Sequence, residues 1–125
     1  MRYQYKSQGF KNDFYGVKNK YNISSVSLLI IINILVYLFT DNQWSVHQNF
    51  GISSTNFKIW QPLTYMFLHG GITHLFFNMF LLWMFGSRLE KIWRPIKFTS
   101  YYLITGIGAG VLIYIFSDAV TIGAS

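Results

Sequence analysis

The sequence contains no cysteine and few charged residues of either sign. The missing cysteine excludes disulfide bonds, a thiolate nucleophile and a zinc site with cysteine ligands. Charged residues make up 11% of the chain, against about 25% in an average soluble domain. Hydrophobic residues make up 52% and aromatic residues 20%. This composition argues against intrinsic disorder and against an ordinary soluble surface, and 125 residues allow at most one domain.

Three segments contain no charged residue and are candidates for membrane spans: residues 23–40, 62–86 and 98–117. The hydrocarbon core of a bilayer is about 30 Å thick and needs about 20 mostly apolar residues in a helix. The second segment is more polar at its start. We therefore expect its helix to begin near Ile72, after the Gly70-Gly71 pair.

A soluble bundle of three buried helices is the competing interpretation. Soluble helices usually carry a polar stripe on one face, yet Asn33 is the one interior polar residue of the run SLLIIINILVYLF. We predict an all-α, polytopic membrane protein with three transmembrane helices and the start of a fourth. Residues 1–22 would form a basic tail, and residues 23–125 would form the membrane domain.

Lysine and arginine cluster on one side of the predicted spans. The tail contains five of them and the loop 87–97 contains four, whereas Lys58 is the one basic residue of the loop 41–61. By the positive-inside rule, the N-terminus and the 87–97 loop are cytoplasmic and the 41–61 loop is outside. The net charge of +6 then suits anionic lipid headgroups. Nucleic acid is the weaker alternative, because the cations are divided between two short segments.

The second segment contains three strongly polar residues, which are costly in lipid and are functional candidates for that reason. His74 and Asn78 are four residues apart, so a helix places them about 40° apart on one face. His69 lies upstream, in the irregular stretch LHGGI. Hydrogen bonding between helices is the structural alternative. A zinc hydrolase would need H-E-x-x-H, which is absent here, so the pair better suits hydrogen-bond donation to an oxyanion.

Small residues mark the third segment and the end of the chain. The run GIGAG at 106–110 predicts close helix packing rather than a phosphate-binding loop, because it lies inside an apolar span. The chain ends in Gly123-Ala124-Ser125. This triplet follows the outer end of the third predicted span, at a depth similar to that of His74 and Asn78.

Together these pieces resemble the rhomboid family of intramembrane serine proteases. The similarity runs from about Trp60 to Ser125 and comprises WQPLTYMFLHGGITHLFFNM, FG followed four residues later by Glu90, YYLITGIGAG, and the terminal GAS. Each piece is weak alone, but their joint occurrence in this order is specific. The resemblance implies that Ser125 is the nucleophile and that His74 and Asn78 line the oxyanion hole.

The resemblance gives the other matched residues structural roles. His69 matches the upstream histidine of the family. The Trp60-Gln61 pair resembles a Trp-Arg motif in the first outer loop, with glutamine in place of arginine. Gly86 and Glu90 match positions at the inner end of the second span, where we expect Glu90 to bond backbone groups of its own loop. Gly123 opens the G-x-S motif.

The catalytic base of the family has no counterpart in this sequence. Rhomboids use a Ser–His dyad, and a serine hydroxyl needs an adjacent base to become a nucleophile. None of His47, His69 and His74 matches the position of that base. We therefore expect an N-terminal fragment of a longer rhomboid, inactive alone. Its missing C-terminal helices would complete a cofactor-free serine endopeptidase for transmembrane substrates, in the inner membrane if the source is bacterial.

Two other functions stay open. A rhomboid-like protein without protease activity would bind transmembrane clients and route them, although the His/Asn pair and the GAS triplet argue against a decayed site. A small three-span protein whose polar residues serve packing alone would explain the length without truncation. That interpretation leaves the order of the motifs to coincidence.

Overall fold

The structure, a computed structural model, describes residues 23–117 and 120–123. The predicted tail 1–22 and the predicted nucleophile Ser125 lie outside the described residues. Within the described ranges the fold is all-helical and contains no β-strand, which confirms the predicted class. In chain order the elements are α1 (Ser25–Thr40), α2 (Trp44–Phe50), α3 (Gln61–Thr64), a 3-10 turn (Tyr65–Phe67), α4 (Ile72–Leu81), a π-helical turn (Leu82–Gly86) and α5 (Ser87–Phe116).

Helix α1 buries one narrow stripe and exposes the rest of an apolar surface. It begins at a serine cap, where the Ser24 side chain accepts a hydrogen bond from the N–H of Ser27 at 3.4 Å. The other faces are apolar and exposed, with Leu38 at 68% and Phe39 at 75%. Such a surface suits contact with lipid rather than water. The buried residues recur every three or four positions and are Val26, Leu29, Asn33 and Tyr37.

The helical stretch Ile72–Phe116 is long and apolar enough to cross a membrane by length and composition. Only 11% of its most apolar window is buried inside the protein, and α1 is a shorter apolar helix. A straight helix of these 45 residues would be roughly 68 Å long, more than twice the bilayer core of about 30 Å. A single crossing therefore cannot use the whole stretch.

The chain reverses direction at Arg94, which interrupts α5. Arg94 has non-helical angles (φ 67°, ψ 159°) and precedes Pro95, a residue that disfavours helical geometry just before it. A Cβ on Gly86 would lie 3.1 Å from the Phe98 ring, although a straight helix would separate these positions by about 18 Å. The predicted loop 87–97 is therefore helical on both sides of one sharp turn, because arginine and lysine favour helices and proline does not.

Among the described residues, two small clusters of buried side chains form most of the core. The first contains Val26, Leu29 and Phe98, at the place where α1 meets α5. The second contains Ile52, Tyr65 and Met66, with side chains of α5 packed against it. Gly86 lies beside the first cluster, and a Cβ on it would also come 3.1 Å from Val26. A larger residue at this position would push α1 and α5 apart.

Glycines of α5 allow the segment around Tyr65 to approach its backbone. The Tyr65 hydroxyl donates to the Gly106 carbonyl at 2.7 Å, and a Cβ on Gly106 would overlap Met66. A Cβ on Gly110 would lie 2.7 Å from the Tyr65 ring and 3.1 Å from Pro62 Cα. These contacts agree with the packing role predicted for the GIGAG run.

Gly110→Ala is expected to destabilise the fold, whereas Gly108→Ala is not. Both changes add the same methyl group to the same helix, but a Cβ on Gly108 would meet nothing within 4 Å. Overpacking at Gly110 should cost about 1–3 kcal/mol, while Gly108→Ala should be neutral or stabilise by about 0.4–1 kcal/mol. Unfolding of the two purified variants in detergent micelles measures the difference. Equal stabilities would contradict the close approach at Gly110.

Candidate functional site

The segment 120–123 returns to the helices near Ile52 and Tyr65 and is bonded there at two points. Ile52 and Thr121 form an isolated antiparallel bridge with N–H to O distances of 2.9 and 2.8 Å. The Gly123 N–H donates to the Tyr65 carbonyl at 2.7 Å. Three backbone hydrogen bonds therefore fix where the predicted G-x-S motif begins.

Gly123 lies directly against the ring of His74. Its φ of +87° is in the left-handed region, where a side chain is unfavourable and glycine is not. A Cβ at this position would lie 2.6 Å from His74 Cε1 and 3.0 Å from Nε2. Glycine is thus required here by both backbone angle and space. The first residue of the motif and the predicted oxyanion donor His74 are in contact.

The two histidines of the motif have different environments. Their ring centroids are 5.2 Å apart in an edge-on arrangement. His69 is 1% exposed, and its Nδ1 lies 3.3 Å from the Phe67 carbonyl oxygen. His74 is half-buried in the first turn of α4, which begins at Ile72 directly after Gly71. The positive end of the helix dipole lies at this turn and favours a negative charge nearby.

Asn78 lies one turn further along α4 and lines a pocket of about 180 Å³ with His69, Asn33 and Tyr102. The pocket thus brings together Asn78 and His69, while His74 lies next to Gly123. Apolar side chains complete the wall, namely Met66, Met79, Leu81 and Leu82. No group of three or more residues able to hold a metal ion occurs in the described ranges.

Asn33 is a part of this pocket that sequence reasoning missed. Its side chain is fully buried, and its Nδ2 donates to the Leu29 carbonyl at 2.7 Å within α1. Its Oδ1 is buried and has no hydrogen-bond partner among the described residues. A buried amide oxygen is costly when unpaired. One feature of the sequence could have identified Asn33 as a pocket residue: it is the one polar residue inside the first apolar run.

The side chains of Trp60 and Gln61 form hydrogen bonds with the backbone on both sides of the loop between α2 and α3. Gln61 is fully buried, and its Nε2 donates to the carbonyls of Asn49 and Asn56 at 3.4 and 3.3 Å. Its Oε1 accepts the N–H of Lys58 at 3.1 Å. Trp60 is 46% exposed, and its indole N–H donates to Asn49 O at 3.2 Å. An amide both donates and accepts, so Gln61 joins three backbone positions.

Glu90 binds the start of α1 and not its own loop, which corrects the prediction made from the sequence. The Ser24 hydroxyl donates to Oε2 at 2.5 Å, and the N–H groups of Ser25 and Val26 donate at 2.6 and 3.3 Å. The first N–H groups of a helix have no partner within it and carry partial positive charge. The carboxylate therefore caps the start of the neighbouring helix α1.

These same hydrogen bonds act on the pKa of Glu90. Burial raises the pKa of the carboxyl, and the donors from Ser24, Ser25 and Val26 lower it by more, so the net shift is below the ordinary value of 4.5. The carboxylate is therefore ionised at neutral pH and stabilises the positive end of α1.

Comparison of the sequence with known proteins identifies similarity to one family. The model of the Rhomboid domain matches residues 56–125. RHOMBOID-like protein 6, mitochondrial, of Arabidopsis thaliana is 42% identical over 67 residues. Rhomboid protease GluP of Bacillus subtilis is 38% identical over 66 residues. Rhomboid-like protein 11, chloroplastic, of Arabidopsis thaliana is 35% identical over 104 residues.

The matches cover more of this chain than of its relatives. They include 53%, 53% and 78% of this chain, in the order given above. They include only 22%, 13% and 36% of the three relatives. No solved structure matches the chain.

Proposed function

The chain belongs to the rhomboid family, and we propose that the whole protein is a serine endopeptidase that hydrolyses peptide bonds of transmembrane substrates. Rhomboid proteins are integral membrane proteins, and the exposed apolar surfaces of α1 and of Ile72–Phe116 agree with that. The observation that carries the proposal is the contact between Gly123 and the ring of His74. It supports a site in which the G-x-S motif meets the histidine that binds the oxyanion.

In this proposal the hydroxyl of Ser125 attacks the carbonyl carbon of the scissile peptide bond. A histidine in the remainder of the protein takes the hydroxyl proton, because none of the three histidines of this chain matches the base of the family. The carbonyl oxygen becomes an oxyanion, which the side chains of His74 and Asn78 stabilise by hydrogen bonds. The base then protonates the leaving amine, and water releases the acyl group from the serine.

The structure favours anion binding at His74 for a reason beyond its side chain. His74 lies in the first turn of α4, where backbone N–H groups lack partners within the helix. The helix dipole there adds to the attraction for a developing negative charge. His69 is more deeply buried and in ring contact with His74. We assign it a positioning role, in which its ring limits the movement of the His74 imidazole.

The proposed topology has three spans, with the N-terminus in the cytoplasm. The spans are those predicted from the sequence, at about residues 23–40, 62–86 and 98–117, and the charged stretch 87–97 connects the last two. Two supports are the reversal of the chain at Arg94 and the concentration of basic residues in 1–22 and 87–97. In this arrangement Gly123 and His74 lie near the outer surface, where water for hydrolysis is available.

A serine-directed phosphonate tests the activity. We expect it to label Ser125 of the whole protein in membranes, and to leave this 125-residue chain unlabelled because the base is elsewhere. The Ser125→Ala variant of the whole protein is the control for site-specific labelling. Labelling of the short chain alone would contradict the need for an outside base. A whole protein that is folded yet unlabelled would contradict the protease and favour the binding of transmembrane clients.

A further inference from the structure

An open groove of about 820 Å³ lies where the start of α1 meets the π-helical turn and the start of α5. Its polar lining consists of two cations, one carboxylate and three hydroxyl groups, from Arg88, Lys91, Glu90, Ser24, Ser27 and Ser87. The groove lies beyond the last residue of α4, whereas His74 lies in the first turn of that helix. It is therefore separate from the candidate catalytic site at His74 and Gly123.

The two cations of the groove have no carboxylate partner among the described residues. The two carboxylates in the described ranges are Asp41, at the far end of α1, and Glu90. The Glu90 oxygens accept hydrogen bonds from the start of α1. Arg88 and Lys91 are exposed, and together with Glu90 they leave the groove with a net positive charge. An anion can approach without displacing an existing ion pair.

Apolar side chains border the cations. Ile23 is 71% exposed and Trp83 is 60% exposed, and both line the groove. Tryptophan is enriched where hydrocarbon meets headgroups. A single site thus combines cations and hydroxyl groups with exposed apolar surface. This combination fits a molecule that has a charged phosphate at one end and hydrocarbon at the other.

We propose that this groove binds the phosphate of an anionic membrane phospholipid. Arg88 and Lys91 contact the phosphate oxygens, and the hydroxyls of Ser27 and Ser87 donate hydrogen bonds to them. The acyl chains lie against Ile23 and Trp83. Basic pockets between transmembrane helices bind anionic headgroups by the same physics. The proposal does not depend on protease activity, since it uses none of the residues assigned to the reaction.

Lipid retention by the purified whole protein tests this site. The protein is extracted into detergent and incubated with equal amounts of phosphatidylglycerol and phosphatidylcholine, and the bound lipid is counted by native mass spectrometry. We expect preferential retention of phosphatidylglycerol. The double variant Arg88→Gln/Lys91→Gln should lower its affinity by about 25-fold, roughly fivefold for each cation. Equal retention of the two lipids, or no effect of the double variant, would overturn the proposal.

Matched controls distinguish lipid binding at this groove from nonspecific attraction of anionic lipid by positive charge. Lys58→Gln removes one positive charge from the loop between α2 and α3 and should leave retention unchanged. Arg88→Lys/Lys91→Arg preserves both charges and should preserve binding, which guards against misfolding of the double variant. Inorganic phosphate at millimolar concentration is the third arm. If it displaces the lipid completely, the groove binds free phosphate and the apolar contacts contribute nothing, which would contradict the lipid assignment.

Discussion

Asn78→Ala in the whole protein is expected to slow cleavage of a transmembrane substrate by about 100- to 1000-fold, the usual effect of losing one oxyanion donor. Asn78 lies one helical turn after His74 and lines the pocket that contains His69. In the proposed mechanism the amide acts on charge that develops only in the transition state. The loss should therefore fall on kcat, with little change in KM.

The control for this variant is Asn56→Ala. Asn56 is exposed, and the hydrogen bond that it accepts from Gln61 is made by its backbone carbonyl, which alanine retains. Cleavage by Asn56→Ala should match that of the unmodified protein. Rates are measured in proteoliposomes with a fluorescent transmembrane substrate. Unchanged kcat in Asn78→Ala would remove Asn78 from the oxyanion hole and leave it a packing role.

Glu90→Ala is expected to lower the free energy of unfolding of the chain by about 2–4 kcal/mol, because hydrogen bonds to charged groups are worth about 1.5–3 kcal/mol each and are not fully additive. The change removes the acceptor of three hydrogen bonds at the start of α1. It leaves the N–H groups of Ser25 and Val26 without that partner. The loss is large against the usual total of about 5–15 kcal/mol.

Two further variants identify the cause of that loss. Glu90→Gln keeps the shape and one acceptor oxygen but removes the charge, so its stability should lie between those of the unmodified chain and Glu90→Ala. Asp41→Ala removes a carboxylate at the other end of α1 and should stay within about 0.5 kcal/mol. Unfolding in detergent micelles gives all three values. Equal losses from Asp41→Ala and Glu90→Ala would refute a specific role of Glu90.

The same contact predicts a dependence on pH. The pKa of Glu90 is lower in the folded state than its ordinary value of 4.5, so its ionised form is the one that the fold stabilises. This stabilisation is fully present above pH 4.5 and is lost as the pH falls through the folded-state pKa. The difference in stability between the unmodified chain and Glu90→Gln should therefore shrink on acidification. A difference that grew at low pH would contradict the assigned direction.

Features that depend on neighbouring residues were predictable from the sequence. The Gly70-Gly71 pair indicated that a helix begins near Ile72, and α4 begins there. The absence of polar stripes predicted exposed apolar helices, and the order of the motifs predicted the family. The first two features are determined within a few residues by backbone propensity and polarity, and the third by the spacing of motifs along more than half of the chain.

Features that depend on contacts between helices far apart in the sequence could not be predicted from local sequence patterns. Glu90 and Ser24 are separated by 66 residues, and no local pattern tells which helix end the carboxylate will reach. Asn33 looked like an isolated polar residue, although it shares a pocket with Asn78. The loop 87–97 was inferred from charge, but arginine and lysine continue a helix well. The break falls instead at Arg94, where proline follows.

The two attachments of the segment 120–123 couple the region around Ile52 to the region around His74. Thr121 is bonded to Ile52, and Gly123 is bonded to Tyr65 and touches His74. A displacement of the chain around Ile52 would therefore pull on Thr121 and change the spacing between Gly123 and the imidazole. In the proposed mechanism, a substrate that presses on the chain around Ile52 would shift His74 relative to Gly123 without touching either residue. Binding of the substrate and alignment of the proposed site would then be coupled.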